Sequence, residues 1–500
     1  MKINIIFIFL ITILLVSCSN DTPADVDISE TTVSDTYTET EIPPENILRP
    51  NLPKADFSNE NFTILNGNIQ EWMTTSTIFS AELNGDPLND AIYARNHRVE
   101  EQFNIKIAEL SSGNVRADAM KFINASDSTI DLVLLTMADA FAMSIENYAV
   151  AYDEIPNISV YNYGADYERK HNSYTITDCP WWIKNSMTDL SIANRVYFGI
   201  SLFDTTHYDC VRSLFFNKQM IIDFGLENPY ESVNGGRWTI DEMKTMGITV
   251  VTDINGDGTE DEGDRYGYTS TPSISGQALM TGVGARLSIT KNKDDIPVFE
   301  LDSEYFFSRY EAVASLLNDN KGFRNPLGDS NNHGGVAQFT GGNVLFYNET
   351  MSNAKNLRSM DTDFGIIPMP KYHEAQESYF MLAGNPYFML VPVTNSDLNR
   401  TGIMMESLAF ESMNTVSKAF YDILLTGKVS RDNNSAQMLD IIYNSLSFYH
   451  PIALTYVNSN ITAMLYTNNR DISTYFAENK TAIETEIALS ITPFITQTEE

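Results

Sequence analysis

Positive charge is scarce in this chain. Its 500 residues hold 32 Lys and Arg against 66 Asp and Glu, a formal net charge of −34. So acidic a surface repels phosphate backbones and anionic headgroups, which argues against nucleic acid or an acidic lipid surface as partner. Cysteine is nearly absent, at positions 18, 179 and 210 only, and no Cys/His spacing of a zinc site occurs. The six histidines are scattered, His97, His207 and His450 among them, and read as surface or satisfied core residues. There is no G-x-S-x-G, no G-x-x-x-x-G-K and no H-E-x-x-H, which leaves out the nucleophile elbow, the phosphate loop and the zincin helix.

What is present starts at the N-terminus. Lys2 precedes an apolar run from Ile3 to Val16, broken only by Asn4 and Thr12. The run is shorter than the ~20 residues of a membrane span and has the length of a signal-peptide core. It ends in Leu15-Val16-Ser17-Cys18, similar to a bacterial lipobox, in which small residues admit the peptidase and the Cys18 thiol takes a diacylglyceryl group. Residues 1–18 are therefore expected to be a lipoprotein signal peptide, with lipidation at Cys18 anchoring the chain to the outer face of a cell membrane. Residues 19–50 are rich in Thr, Ser, Pro, Asp and Glu, with no Lys or Arg before Arg49. Such a segment cannot bury enough apolar surface to offset its ordering entropy and reads as a disordered acidic tether. Cys179 and Cys210 either bridge, closing a loop worth ~3–4 kcal/mol, or remain buried thiols.

The rest is long for one core, and two lobes are expected. Phe62 to Leu65 reads as a strand. Asp86-Pro87 opens a helix with Leu88, Ile92, Val99 and Phe103 close to one face. Asn104 to Ile107 is a second strand, and Leu132 to Leu135 a continuous apolar run of the kind buried in parallel sheets. Alternating strands and helices imply an α/β fold with a mainly parallel sheet. Val196 to Ile200 and Arg212 to Asn217 read as strands flanking a passage to the second lobe. Asn343 to Tyr347, Phe364 to Ile367 and Asn385 to Val393 are further strands, and the pattern is helical from about Ser396. Thr239-Ile240-Asp241-Glu242 has the form of a capping box, which assigns Trp238 to packing.

The sharpest chemical motif runs from Asp253 to Asp264. Asp253, Asn255, Asp257, Asp261 and Asp264 place side-chain oxygens at loop positions one, three, five, nine and twelve. Gly258 stands at position six and Thr259 offers its carbonyl at seven. This is the ligand spacing of an EF-hand-like loop, and hard oxygens suit Ca²⁺ in a structural role. Position twelve is Asp264 rather than Glu, whose shorter reach weakens bidentate ligation. The competing reading is an acidic, glycine-rich turn that binds nothing specific.

Several stretches, in order, resemble extracellular solute-binding protein family 1, the sugar-type binding lipoproteins related to maltose-binding protein. They are Gly85-Asp86 through Arg95-Asn96 to Phe103-Asn104; Leu214-Phe215-Phe216-Asn217-Lys218 with Phe224-Gly225-Leu226; Gly236-Arg237-Trp238-Thr239; the calcium-type loop into Arg265-Tyr266-Gly267-Tyr268; and Asp363-Phe364-Gly365-Ile366-Ile367-Pro368-Met369-Pro370. Cys179-Pro180-Trp181-Trp182 is similar to the family's proline-tryptophan stretch, whereas the ligand loops are otherwise hard to align. The resemblance implies a two-lobe type II periplasmic-binding-protein fold with hinge strands. Lobe 1 would take 51–210 and 371–500, and lobe 2 would take 211–370. It also implies a monomeric, non-catalytic solute-binding protein, with a sugar in the cleft and an ABC permease as partner.

Sugars are held by aromatic faces and by carboxylates or amides, usually in loops at the carboxyl ends of parallel strands. On that ground the candidate ligand residues are Trp72, Asp139, Trp181, Asp204, Tyr208 and Tyr387, and the resemblance adds Tyr347 and Asn348, which end a strand similar to the family's second-lobe ligand loop. Of the adjacent Trp181 and Trp182, at most one is expected to face the cleft. The single aromatics compete with plain core packing, and Asp139 and Asp204 with helix capping. Two other functions remain open: a secreted glycoside hydrolase, which needs two paired carboxylates, and a calcium-stabilised surface adhesion module.

Overall fold

The computed structural model describes residues 49–67, 76–159, 179–258, 263–270, 275–285, 290–319, 321–323, 334–426, 433–450 and 459–496. All fall within one compact unit, Leu48–Glu500. The signal peptide, Cys18, nearly all of the tether, Trp72, Thr259 and Asp261 lie outside the described residues.

The first strand, β1 (Glu60–Gly67), buries Phe62, Ile64 and Leu65. Helix α1 (Pro87–Phe103) starts where the sequence marks it. The Asp86 carboxylate accepts from Asn89 N at 2.9 Å, Pro87 occupies the first turn, and Asn104 ends the helix in the left-handed region at φ 47°. β2 (Ile105–Ser112), α2 (Val115–Asn124), β3 (Leu132–Thr136), α3 (Met137–Ile145), α4 (Lys184–Thr188) and β4 (Phe198–Gly199) follow. The short helix α5 (Thr206–Asp209) lies on the first passage to the second sheet. There β5 (Arg212–Asn217), α6 (Lys218–Asp223), α7 (Pro229–Asn234), α8 (Ile240–Val250), β6 (Tyr266–Ser270) and α9 (Ser275–Gly282) come next. A small hairpin, β7 (Thr290–Lys291) and β8 (Pro297–Val298), precedes α10 (Glu304–Asn318), α11 (Gly334–Thr340), β9 (Val344–Thr350) and β10 (Phe364–Ile367). The chain returns through β11 (Met381–Leu382) to β12 (Tyr387–Leu390), α12 (Leu398–Asn414) and α13 (Val416–Thr426). It ends with α14 (Asn433–Asn444), β13 (Leu446–Ser447), α15 (Ser459–Tyr466) and α16 (Ile472–Thr496).

Two main sheets result. The first has the order β2-β1-β3-β12-β4, with β1 parallel to β2 and β3, and β12 antiparallel to both of its neighbours. The second has the order β10-β5-β9-β6, in which β5 runs antiparallel to β10 and β9 while β6 is parallel to β9. Both are packed on apolar side chains. Leu132 to Leu135 are fully buried, each worth roughly 1.5–3 kcal/mol against exposure. Thr239 caps α8 by accepting from Glu242 N at 3.3 Å, and the buried Trp238 donates to the Pro368 carbonyl at 2.9 Å.

The helices after β12 do not keep to one side. α12 and α13 pack on α1, but α14 packs on β10 and α15 on α9 and α10, while α16 touches α3 and β8. Residues 371–500 therefore serve both sheets, which corrects their assignment to lobe 1 alone. Amphipathic periodicity fixes that a helix has a partner, not which sheet supplies it. Cys179 and Cys210 are not bridged to one another.

Candidate functional site

The carboxyl ends of β1 and β3 meet the first passage and the start of β12. Tyr387 pairs with Thr136 at the end of β3, and its ring crosses the end of β1 at Gly67. A Cβ on Gly67 would stand 2.6 Å from the Tyr387 hydroxyl, so glycine is what admits the ring. Tyr387 is 2% exposed, yet its hydroxyl has no hydrogen-bond partner among the described residues. Burial, then the nearby Asp204, Cys210 and Asp139, push its pKa well up and keep it a neutral donor.

Asp204, on the passage before α5, is buried and accepts from Ser76 Oγ at 3.0 Å and from Thr206 Oγ1. Burial raises its pKa against those hydrogen bonds. The Ser76 carbonyl accepts from Asn66 Nδ2 at 2.9 Å, and Thr206 Oγ1 accepts from Tyr387 N at 2.9 Å. Asp139 sits half-buried in the first turn of α3, and its carboxylate accepts from Thr136 Oγ1 at 3.1 Å. Asp139, Asp204 and Tyr387 are thus brought together by the ends of two strands and one crossing.

The second sheet places its expected residues differently. Tyr347 is buried with its ring stacked on Phe339 at 5.4 Å, and its hydroxyl donates to Glu349 Oε2 at 3.2 Å. Asn348 is buried and donates from Nδ2 to the Tyr268 hydroxyl at 3.1 Å. Where the end of β9 lies beside the start of β5 stand two residues the sequence reading missed. Glu349 and Arg212, both buried, approach to 3.5 Å just past the first passage. The signal available was a charge at the edge of an apolar strand, with Arg212 preceding Ser213-Leu214-Phe215-Phe216.

Two candidates, Trp181 and Tyr208, are core residues, as is the neighbouring Trp182. Trp181 and Trp182 donate from their indole nitrogens to the Glu406 carboxylate at 2.7 and 2.8 Å. Both rings are buried, and Trp181 meets Phe410 edge-on at 5.5 Å. Neither offers a face to a solute, which corrects the expectation for Trp181. Tyr208 is likewise committed to an aromatic cluster with Phe420, Tyr421 and Tyr443, at 4.8, 5.7 and 4.8 Å between ring centroids.

In the calcium-type loop, Asp253 accepts from Gly256 N at 2.7 Å and Gly258 N at 2.9 Å, with Gly258 at φ 77°. Asn255 Oδ1 accepts from Asp257 N at 2.9 Å, and the buried Asp264 from Ile254 N at 3.0 Å. The donor set is all oxygen, as a hard cation requires. Among the described residues, no three His, Cys, Asp or Glu side chains are grouped to hold an ion. A separate cavity of about 830 Å³ lies between α4 and the segment leading into α10, with Asp189, Lys291, Tyr305, Phe380 and Phe448 in its lining. No residue singled out from the sequence lines it.

No family model matches the chain, and no curated protein matches it. Solved structures do. UspC of M. tuberculosis is similar with a TM-score of 0.55 at 11% identity, over 85% of this chain and 100% of that one. A family 1 extracellular solute-binding protein from Bifidobacterium longum subsp. infantis is similar with a TM-score of 0.52 at 13% identity, over 86% and 99%. The maltose-binding periplasmic protein MalE of Listeria monocytogenes, in complex with maltose, is similar with a TM-score of 0.50 at 11% identity, over 88% and 98%. At such identities the likeness is one of fold: this chain has the two-lobe periplasmic-binding-protein architecture.

Proposed function

We propose that a protein with this fold and this site is the extracytoplasmic solute-binding lipoprotein of an ABC importer, anchored through Cys18 and taking a carbohydrate between its lobes. One observation carries the reading: the buried Tyr387 hydroxyl, without a described partner, stands near the Asp139 carboxylate at the carboxyl ends of β1 and β3. A sugar hydroxyl complements both, accepting from the phenol and donating to the carboxylate. The Listeria protein of the same architecture holds maltose, in keeping with that chemistry. A binder is favoured over a glycosidase because Asp204, the buried acid beside Tyr387, is spent on Ser76 and Thr206 and does not pair with Asp139 as a glycosidase's two carboxylates must. Solute touching both lobes would favour the closed state by its greater affinity for it, and a permease would read that state. The body acts as a monomer and binds no nucleic acid.

A thermal-unfolding screen of the mature chain against a sugar panel tests this. At least one sugar should raise the midpoint by several degrees. Tyr387→Phe should leave the sugar-free midpoint nearly unchanged, since the hydroxyl bonds no described group, and weaken that sugar's affinity about tenfold, ~1.4 kcal/mol. No shift with any sugar, or full affinity in Tyr387→Phe, would refute the reading. In the same proposal Asp253, Asn255, Asp257, Thr259, Asp261 and Asp264 hold a structural Ca²⁺ that pins their loop. Calcium should then raise the unfolding midpoint over that in chelator, and equal midpoints would remove it.

A further inference from the structure

We infer that Arg95, on α1 and outside the solute site, is a positioning residue that presets the first-lobe loops of that site. The inference rests on the proposed solute-binding role. Arg95 is 0% exposed, and its guanidinium reaches three separate parts of the chain. Nη2 donates to the Ile78 carbonyl at 2.6 Å. Nη1 donates to the Phe203 carbonyl at 2.8 Å and to Ser412 Oγ on α12 at 3.1 Å. Nε donates to Asn96 Oδ1 at 2.9 Å, and Asn96 Nδ2 donates in turn to the Ile78 carbonyl at 3.0 Å. The cation also lies 4.6 Å from the centre of the Phe203 ring.

Ile78 is two residues past Ser76, and Phe203 immediately precedes Asp204. Each held carbonyl is therefore next to a group of the Ser76–Asp204–Thr206–Tyr387 network. α1 is a firm base for this, capped at its start and packed on α12 and α13. All four hydrogen-bond acceptors of Arg95 are neutral, and burial pulls its pKa down to about 9 against the opposing charge of Asp204. A buried cation without a close ion pair is an expensive way to fill core volume, which an apolar side chain fills more cheaply. What the planar fork supplies is fixed geometry between four acceptors, which the point charge of a lysine cannot span. Loops held in place before solute arrives lose less entropy when it binds.

Hydrogen exchange of the solute-free mature chain decides the matter without any sugar. In Arg95→Lys and Arg95→Met, amides of residues 77–80 and 203–206 should exchange at least about tenfold faster, with β5, β6 and β9 protected as in the wild type. Unchanged exchange in those loops, or equal acceleration in both sheets, overturns the inference. If Arg95→Met does not fold, Arg95→Lys decides alone. With maltose as probe, Arg95→Lys should bind about tenfold more weakly with an unfolding midpoint close to the wild type; wild-type affinity overturns the inference. If maltose does not bind the wild type, a sugar that shifts the wild-type midpoint in the panel takes its place, and the exchange pattern judges Arg95 in either case.

Discussion

Two buried histidines, His207 and His450, give the protein an acid sensitivity that can be signed in advance. Burial pushes both pKa values down to about 3, so both are neutral in the fold. In the unfolded chain they protonate near pH 6.5. Between those values the unfolded state binds more protons, so stability is full above pH 6.5 and is lost as pH falls towards 3. The slope is ~1.4 kcal/mol per pH unit for each histidine. Urea unfolding at pH 7.5 and 5.5 should show His450→Gln losing about 1 kcal/mol less than the wild type; equal losses would contradict it. Asp204 and Glu406, raised by burial, act with the opposite sign, so the comparison with the variant isolates the histidine. At this scale the sequence located Asp139 directly after a strand, and the structure has it there, in the first turn of α3. It misled at Trp181 and Trp182, because Glu406, their common acceptor, is more than 220 positions away.

Elements were easier to read where local chemistry sets their ends. Asp86 and Thr239 cap α1 and α8 as their spacing indicated, because capping is decided within four residues. Contacts between elements were not legible. α8 lies directly on β6 because Gly247 and Gly267 face one another: a Cβ on Gly267 would come within 2.5 Å of the Gly247 backbone. Gly267→Ala is expected to cost about 2 kcal/mol or more by forcing the helix off the sheet. Gly113→Ala, with nothing within 4 Å of its new methyl, should change little. Thermal unfolding of the two variants checks this, and similar midpoints would count against the close approach. β4 shows the other limit. The apolar run Val196 to Ile200 promised five residues of strand, but ladder pairing with β12 covers only Phe198 and Gly199.

For the whole molecule, chain length pointed to two lobes and the first sheet followed from its strands, but the allegiance of the C-terminal helices did not. α16 shows why. Phe476 near its start packs with Phe299, Phe306 and Phe307, whereas Phe494 near its end packs with Phe141 and Tyr197. One helix ties the region of α10 to that of α3, which a periodic pattern cannot disclose. Phe494→Ala should loosen only the far end, with faster hydrogen exchange over 486–496 and wild-type protection over 472–480. Equal behaviour along the helix would show that the two attachments are not separate.

The insertion of β12 between β3 and β4 also decides what a broken backbone would do. A protease cutting at Thr205 would leave an N-terminal piece carrying four strands of the first sheet and a C-terminal piece carrying the fifth, which sits between two of the four. The pieces are interleaved like clasped fingers. A nicked molecule should therefore migrate as one particle through a sizing column, and the two halves, made as separate polypeptides, should recombine.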